Sequence, residues 1–339
     1  MIKTIQHTLA LALFVSFSCE KPDAVTTALQ VTPFTSGVQS VAQTLQITPV
    51  TEEAQFVKRE GHGSVTFKNK IWVTGGYEGI GGNARNDIWY SKDGALWKQS
   101  LASKHFSPRT SHTTTVFKDK IWVIGGNEIS NRKNDVWRSK DGMFWQEVTA
   151  KASFSKRSSH TTVVFDNKLW VIGGLDQDKK AKNDVWYSKD GAQWIQATAN
   201  ASFSPRFEHT SFVYAGKIWV VGGKEGIGFS NKFSVKSDIW CSKNGMDWIQ
   251  VTTDAAFLPR SGHTSPVYDN KIWVIGGADT ESNKMADAWY SEDGKSWKLA
   301  LKHIALNRAA HTTVVQNKKM WVVAGIENQT KNDVWVVHY

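Results

Sequence analysis

An arginine followed three residues later by a histidine recurs six times along the chain. The pairs are Arg59 and His62, Arg109 and His112, Arg157 and His160, Arg206 and His209, Arg260 and His263, and Arg308 and His311. Successive histidines stand 50, 48, 49, 54 and 48 residues apart. A fixed period of about 50 residues restricts the chain to stacked or ring-arranged equal units, a solenoid or a propeller.

One unit shows the local grammar. In "RSSHTTVVFDNKLWVIGG" (Arg157–Gly174) a Thr/Val-rich run, strand a, is followed by a two- or three-residue polar turn and strand b. A variable loop leads to strand c, "NDVWYS", and the turn "KDG" leads to strand d, "AQWIQAT". Short β-branched runs punctuated by Gly, Asn and Asp predict antiparallel hairpins. Helix-length apolar periodicity is absent after the N-terminus. All 17 tryptophans fall on this template, on strands b, c and d. Strand a has none and is built of Thr, Ser and Val. Small inner strands and bulky outer ones suit blades that crowd at an axis and splay outward, so the indoles are read as core. The last unit stops after strand c, at Tyr339. "LQIT" (Leu45–Thr48), ahead of the first histidine, matches "IQVT" (Ile249–Thr252) of a strand d and is expected to complete it.

The six-fold "R-x-x-H-T … K-I-W-V-x-G-G" pattern with a later Trp resembles the kelch repeat. The resemblance covers about residues 45–339. It implies an all-β, six-bladed β-propeller, four antiparallel strands per blade, its ring closed by the N-terminal strand. "YSKDGALW" (Tyr90–Trp97) and its equivalents resemble the sialidase Asp-box, a turn motif that implies no hydrolysis. Similar propellers include the central domain of galactose oxidase, bacterial sialic-acid mutarotases and protein-binding adaptors, so the fold does not select the activity. A copper site like that of galactose oxidase would need a Tyr–Cys pair. The propeller region has only Cys241, in a repeat position filled by Tyr90, Arg138, Tyr187 and Tyr290 in equivalent segments. No metal and no cofactor are expected.

The repeated residues first read as scaffold. Two positions beyond the double glycine, or Ala324–Gly325 in the last unit, stands a carboxylate: Glu78, Glu128, Asp176, Glu225, Asp279 and Glu327. Counting outward from the a–b turn places His160 against Gly174 and Arg157 near Asp176, and likewise Arg109 near Glu128. The expected clip pairs that arginine with that carboxylate. A second aspartate opens every strand c, from Asp87 to Asp333, and could share the arginine. A set repeated six times is not one active site.

Function is expected where the pattern breaks. Acids between Arg and His occur only as Glu60 and Glu208, in the first and fourth units. These units also carry related b–c loops, "YEGIGGNARN" (Tyr77–Asn86) and "KEGIGFSNKFSVKS" (Lys224–Ser237). The candidate ligand contacts are Glu78, Arg85, Arg206, Glu208, Glu225, Phe229 and Lys232, on the face of the longer loops. If the chain instead acts on sugars, as the mutarotase resemblance would imply, Arg59, Glu60, Arg206 and Glu208 are the candidate catalytic set.

The N-terminus carries Lys3 and a short apolar core, "LALALFVSF" (Leu9–Phe17), too short to span a bilayer. "FSCEKPD" then resembles a bacterial lipoprotein signal, with Cys19 as the lipidated residue. Residues 1–18 are expected as signal, 19–43 as tether and 44–339 as propeller. The net charge of +10 permits contact with anionic surfaces. No basic run or finger spacing accompanies it, so nucleic acid is not an expected partner. The expectation is an exported, lipid-anchored monomer at a bacterial cell envelope that binds a protein or a glycan.

Overall fold

The computed structural model describes residues 45–338, except 103, 130, 227–232 and 303–305. The expected signal and tether, with Cys19, lie outside the described residues, as do Phe229 and Lys232. The region 43–339 forms one compact unit. Among the described residues it contains 26 strands, all antiparallel, in four-strand groups that match the sequence units.

The unit that contains the Arg157–Gly174 stretch shows the plan. Thr161–Phe165, Lys168–Asp176, Ala181–Ser188 and Ile195–Thr198 pair in that order. Asp166 and Asn167 both take left-handed φ values, 49° and 52°, and so close the two-residue a–b hairpin. Two successive left-handed residues match the right-handed twist of the flanking strands. The orphan segment is found where the template predicts. Gln46–Thr51 pairs with Thr330–His338, Gln46 opposite His338, and forms the outer strand of the last group.

The core lies between neighbouring groups. Trp122 and Ile124 of one group pack with Leu169, Val171 and Trp194 of the next. In the same way, Trp321, Val323 and Val334 of the last group pack with Phe56, Ile71 and Trp97 of the first. Five of the six strand-b indoles, all but Trp273, are seated over a glycine of the following group's c–d turn. A Cβ at Gly191 would lie 2.2 Å from Trp122, and one at Gly94 would lie 2.4 Å from Trp321. The c–d turns are self-capped: Asp93 accepts from the N–H groups of Ala95 and Leu96, and Trp97 donates to the Gly94 carbonyl.

The six arginines are the largest polar groups inside the protein, each 0–1% exposed. Their partner differs from the expected one. Arg157 does lie opposite Asp176 in backbone register. Its guanidinium, however, turns inward, donates to the Gly173 carbonyl at 2.8 Å, and makes a bidentate pair with Asp184 of strand c at 2.8 Å. Arg109 likewise takes Asp135, not Glu128. Arg59, Arg206, Arg260 and Arg308 take Asp87, Asp238, Asp287 and Asp333. The reason is direction: the guanidinium that donates to the Gly173 carbonyl meets strand c, while the Asp176 carboxylate turns into its own loop. Asp176 accepts there from the Asp178 and Lys180 N–H groups, whereas Asp184 also receives the Trp186 indole N–H. Burial pushes Asp184 upward, yet the hydrogen bonds and charge of Arg157 outweigh it and hold the carboxyl below its usual range.

Removing one partner of such a buried pair strands the other charge, at a typical cost of about 3–5 kcal/mol. Arg157→Ala and Asp184→Ala should each lower the urea midpoint strongly, and the double variant should lose less than the sum of the two. Wild-type unfolding in either single variant would contradict the clip.

Candidate functional site

The segment between each arginine and histidine builds the floor of a cavity. Gly61 N–H donates to the Ala310 carbonyl, Ala310 to Gly262, Gly262 to Glu208, Glu208 to Ser159, Ser159 to Ser111, and Ser111 back to Gly61. These six backbone bonds, 2.7–3.1 Å long, form a closed cycle with one sense of donation. All six residues hold left-handed φ values, between 51° and 60°. Four of them are not glycine, which costs about 1 kcal/mol or more each. The arginines hold this conformation. The Arg157 backbone bridges to Lys133 of the previous group while its side chain grips its own strand c.

The histidines form the next layer. Nε2 of His160, His209, His263 and His311 is hydrogen-bonded to Thr113, Thr161, Thr210 and Thr264 of the preceding group at 3.0–3.3 Å. The double glycine makes room for two of these rings. A Cβ at Gly174 would lie 2.6 Å from His160 of its own group, and one at Gly173 would lie 3.0 Å from His209 of the next. The expected opposition of His160 and Gly174 is therefore present. The first group departs from the rule in a paired way. Gly63 replaces the threonine, and Thr74 on strand b supplies the missing hydroxyl to His112 and Thr114 at 3.0 and 2.8 Å. A Cβ on Gly63 would lie 2.0 Å from Thr114. Thr74→Ile and Gly63→Thr should each destabilise, and the double variant should recover much of the loss. Additive losses in thermal unfolding would refute this exchange.

Burial, and then the adjacent arginine, push His112, His209 and His311 down to about 3. The other three repeat histidines are pushed down by the same causes. All six are therefore neutral supports at pH 7. A folded value below the unfolded one makes the unfolded chain the better proton acceptor. Stability is full above about pH 7 and is lost as pH falls through about 6.5 toward 3. Each of the three should cost about 2 kcal/mol by pH 5. Urea unfolding at pH 7, 6 and 5 should show a steadily falling midpoint, and a constant midpoint would exclude buried neutral histidines.

Above the floor lies a cavity of about 740 Å³. Its walls come from four template columns that vary between groups. The residue after the double glycine, or after Ala324–Gly325 in the last group, contributes Tyr77, Asn127, Leu175, Lys224, Ala278 and Ile326. The residue after each arginine contributes Glu60, Thr110, Ser158, Phe207, Ser261 and Ala309. Glu208 enters from the next column, and Arg132 and Lys284 enter from strand c. Glu60 and Glu208 are therefore brought together at one mouth. Burial raises the Glu60 carboxyl, Glu208 raises it further, and Lys284 lowers it. Lys224 pairs with Glu208 at 2.9 Å and lies 4.8 Å from the Phe233 ring.

Other candidates lie elsewhere. Arg59 and Arg206 are fully buried in the clips, so neither reaches a ligand, and the Arg/Glu catalytic set is not assembled. Glu78 pairs with Arg85, Glu128 with Lys133 and Glu225 with Lys236, so this column meets strand c and does not line the cavity. Glu78 instead borders a second, more open cleft with Ile80 and Thr330. Arg132 and Lys284 were not singled out by the sequence reading. They share the column three residues before the strand-c aspartate, where the other units have Ala84, Ala181, Val235 and Thr330. Among the described residues no group of three or more His, Cys, Asp or Glu is placed to hold a metal ion.

A family model described as the KLHDC2/KLHL20/DRC7 Kelch-repeats domain matches residues 38–174 and again residues 160–339. The chain belongs to the Kelch-repeat family. The repeated Arg, His and double glycine of its Kelch units are the residues that build clip, floor and hairpin. Kelch-repeat domains are typically protein-binding modules. No curated protein matches the sequence.

Proposed function

We propose that this Kelch-repeat chain is a six-bladed propeller, closed by its N-terminal strand, that acts as a binding module through the mouth of its axial cavity. The observation that carries the reading is a division of labour among residues. The repeated arginines are buried in clips and the repeated histidines support the base of the cavity, while the columns that vary supply its walls. Its volume falls within the range of about 300–1,000 Å³ usual for ligand pockets. The ligand is a protein segment or a glycan, held by Tyr77, Phe207, Glu208 and Lys224 around the mouth. On this reading Cys19 anchors the exported protein to a cell-envelope membrane, and residues 20–43 tether the propeller to it.

The variant Tyr77→Ala/Glu208→Gln/Lys224→Ala tests the mouth without touching a clip. Wild type and variant are compared on a glycan array and a peptide panel. Loss of about tenfold or more in affinity, worth about 1.4 kcal/mol, is expected with little change in melting. Unchanged binding in the variant would remove the mouth as the site.

A further inference from the structure

Among the described residues three charged side chains line this cavity without an ion pair: Arg132, Glu60 and Lys284, whose ammonium donates to the Ser282 carbonyl. Arg132 is only 3% exposed. Its Nε donates to the Ser158 hydroxyl at 3.0 Å, and its guanidinium has no ion pair among the described residues. The nearest acid that acts on it, Asp176, is taken by its own loop and by Lys182 at 3.5 Å. This sets Arg132 apart from the six clip arginines, each of which is neutralised by a bidentate aspartate. Glu60 is the counterpart. Its carboxylate has no hydrogen bond or ion pair among the described residues; Glu208, itself paired with Lys224, adds negative charge near it, and the Lys284 ammonium opposes this from a distance. The same cavity wall carries Leu175, Phe207 and Ile326.

An uncompensated buried charge is costly, and a ligand that supplies its partner removes that cost. A neutral sugar would give neither Arg132 nor Glu60 a direct ion-pair partner, and a simple anion or cation would give one to only one of them. We propose that the mouth binds a small zwitterion, a free amino acid or a short peptide, with its carboxylate on Arg132 and Ser158 and its ammonium facing Glu60. The floor closes one end of the cavity, so the ligand enters by the mouth and both its charged ends are read inside. This inference rests on the mouth being the binding site.

Calorimetry and thermal melting of the full chain test it with L-alanine, Ala-Ala-Ala, N-acetyl-Ala-Ala-Ala and Ala-Ala-Ala-amide. Binding of at least one free zwitterion is expected, and blocking either end of the peptide should weaken it about tenfold or more. Tighter binding of alanine or of the tripeptide tells amino acid from peptide. Glu60→Gln should erase the penalty for N-acetylation and keep that for C-amidation. Arg132→Gln should do the reverse, and Arg132→Lys serves if that variant does not fold. Equal binding of blocked and free peptides, or no response to any free zwitterion, overturns the proposal. A glycan or blocked peptide that binds and is lost in the Tyr77/Glu208/Lys224 variant would overturn the zwitterion and keep the mouth. Zwitterion binding that survives in that variant would overturn both.

Discussion

The buried arginine–aspartate pair is the contact on which the other elements depend. A guanidinium taken wholly out of water is tolerable only when its donors are filled and its charge is met. Here two Nη groups meet one carboxylate, and a third bond goes to a backbone carbonyl beside the double glycine. The ring of Phe154 lies 5.4 Å from the Arg157 guanidinium and stands edge-on to Trp194. One residue thus ties strand c, strand b and the aromatic core of its own group. Its backbone reaches the previous group, and the left-handed residue that follows it two positions later enters the floor. Clip, inter-group core and cavity floor are one connected structure.

Much of this was legible in the sequence because it repeats. The period, the four strands, the orphan outer strand and the seating of His160 against Gly174 all follow from spacing. The arginine's partner was not legible, for a geometric reason. Counting along one hairpin gives the residue opposite Arg157, and Asp176 is that residue. The side chain instead passes beneath Gly173 to the third strand, a neighbour that a two-strand register does not contain. The same blindness hid Arg132 and Lys284. Their column is silent in four units, and only the fold shows that strand c brings it to the mouth. Glu60 and Glu208 were legible because they interrupt a segment that otherwise carries no acid.

Constant and variable columns answer different physical demands. Constant positions must satisfy buried polar groups, and any change there leaves a donor, an acceptor or a cavity without its match. Variable positions face solvent-filled space and are free to differ. The Gly63 and Thr74 exchange shows how strict the first demand is. The first group abandons the usual threonine, yet a hydroxyl still reaches His112, delivered from the adjacent strand.

The cycle of peptide bonds in the floor has an electrostatic consequence. In a helix the peptide dipoles align and place partial charge at its ends, and helix termini attract ions for that reason. In this floor the six dipoles chase one another head to tail around a circle, so their in-plane components cancel. Neither a bare N–H cluster nor a row of carbonyls is presented to the cavity. The base of the mouth is close to electrically silent, and whatever enters is sorted by the side chains of the wall alone.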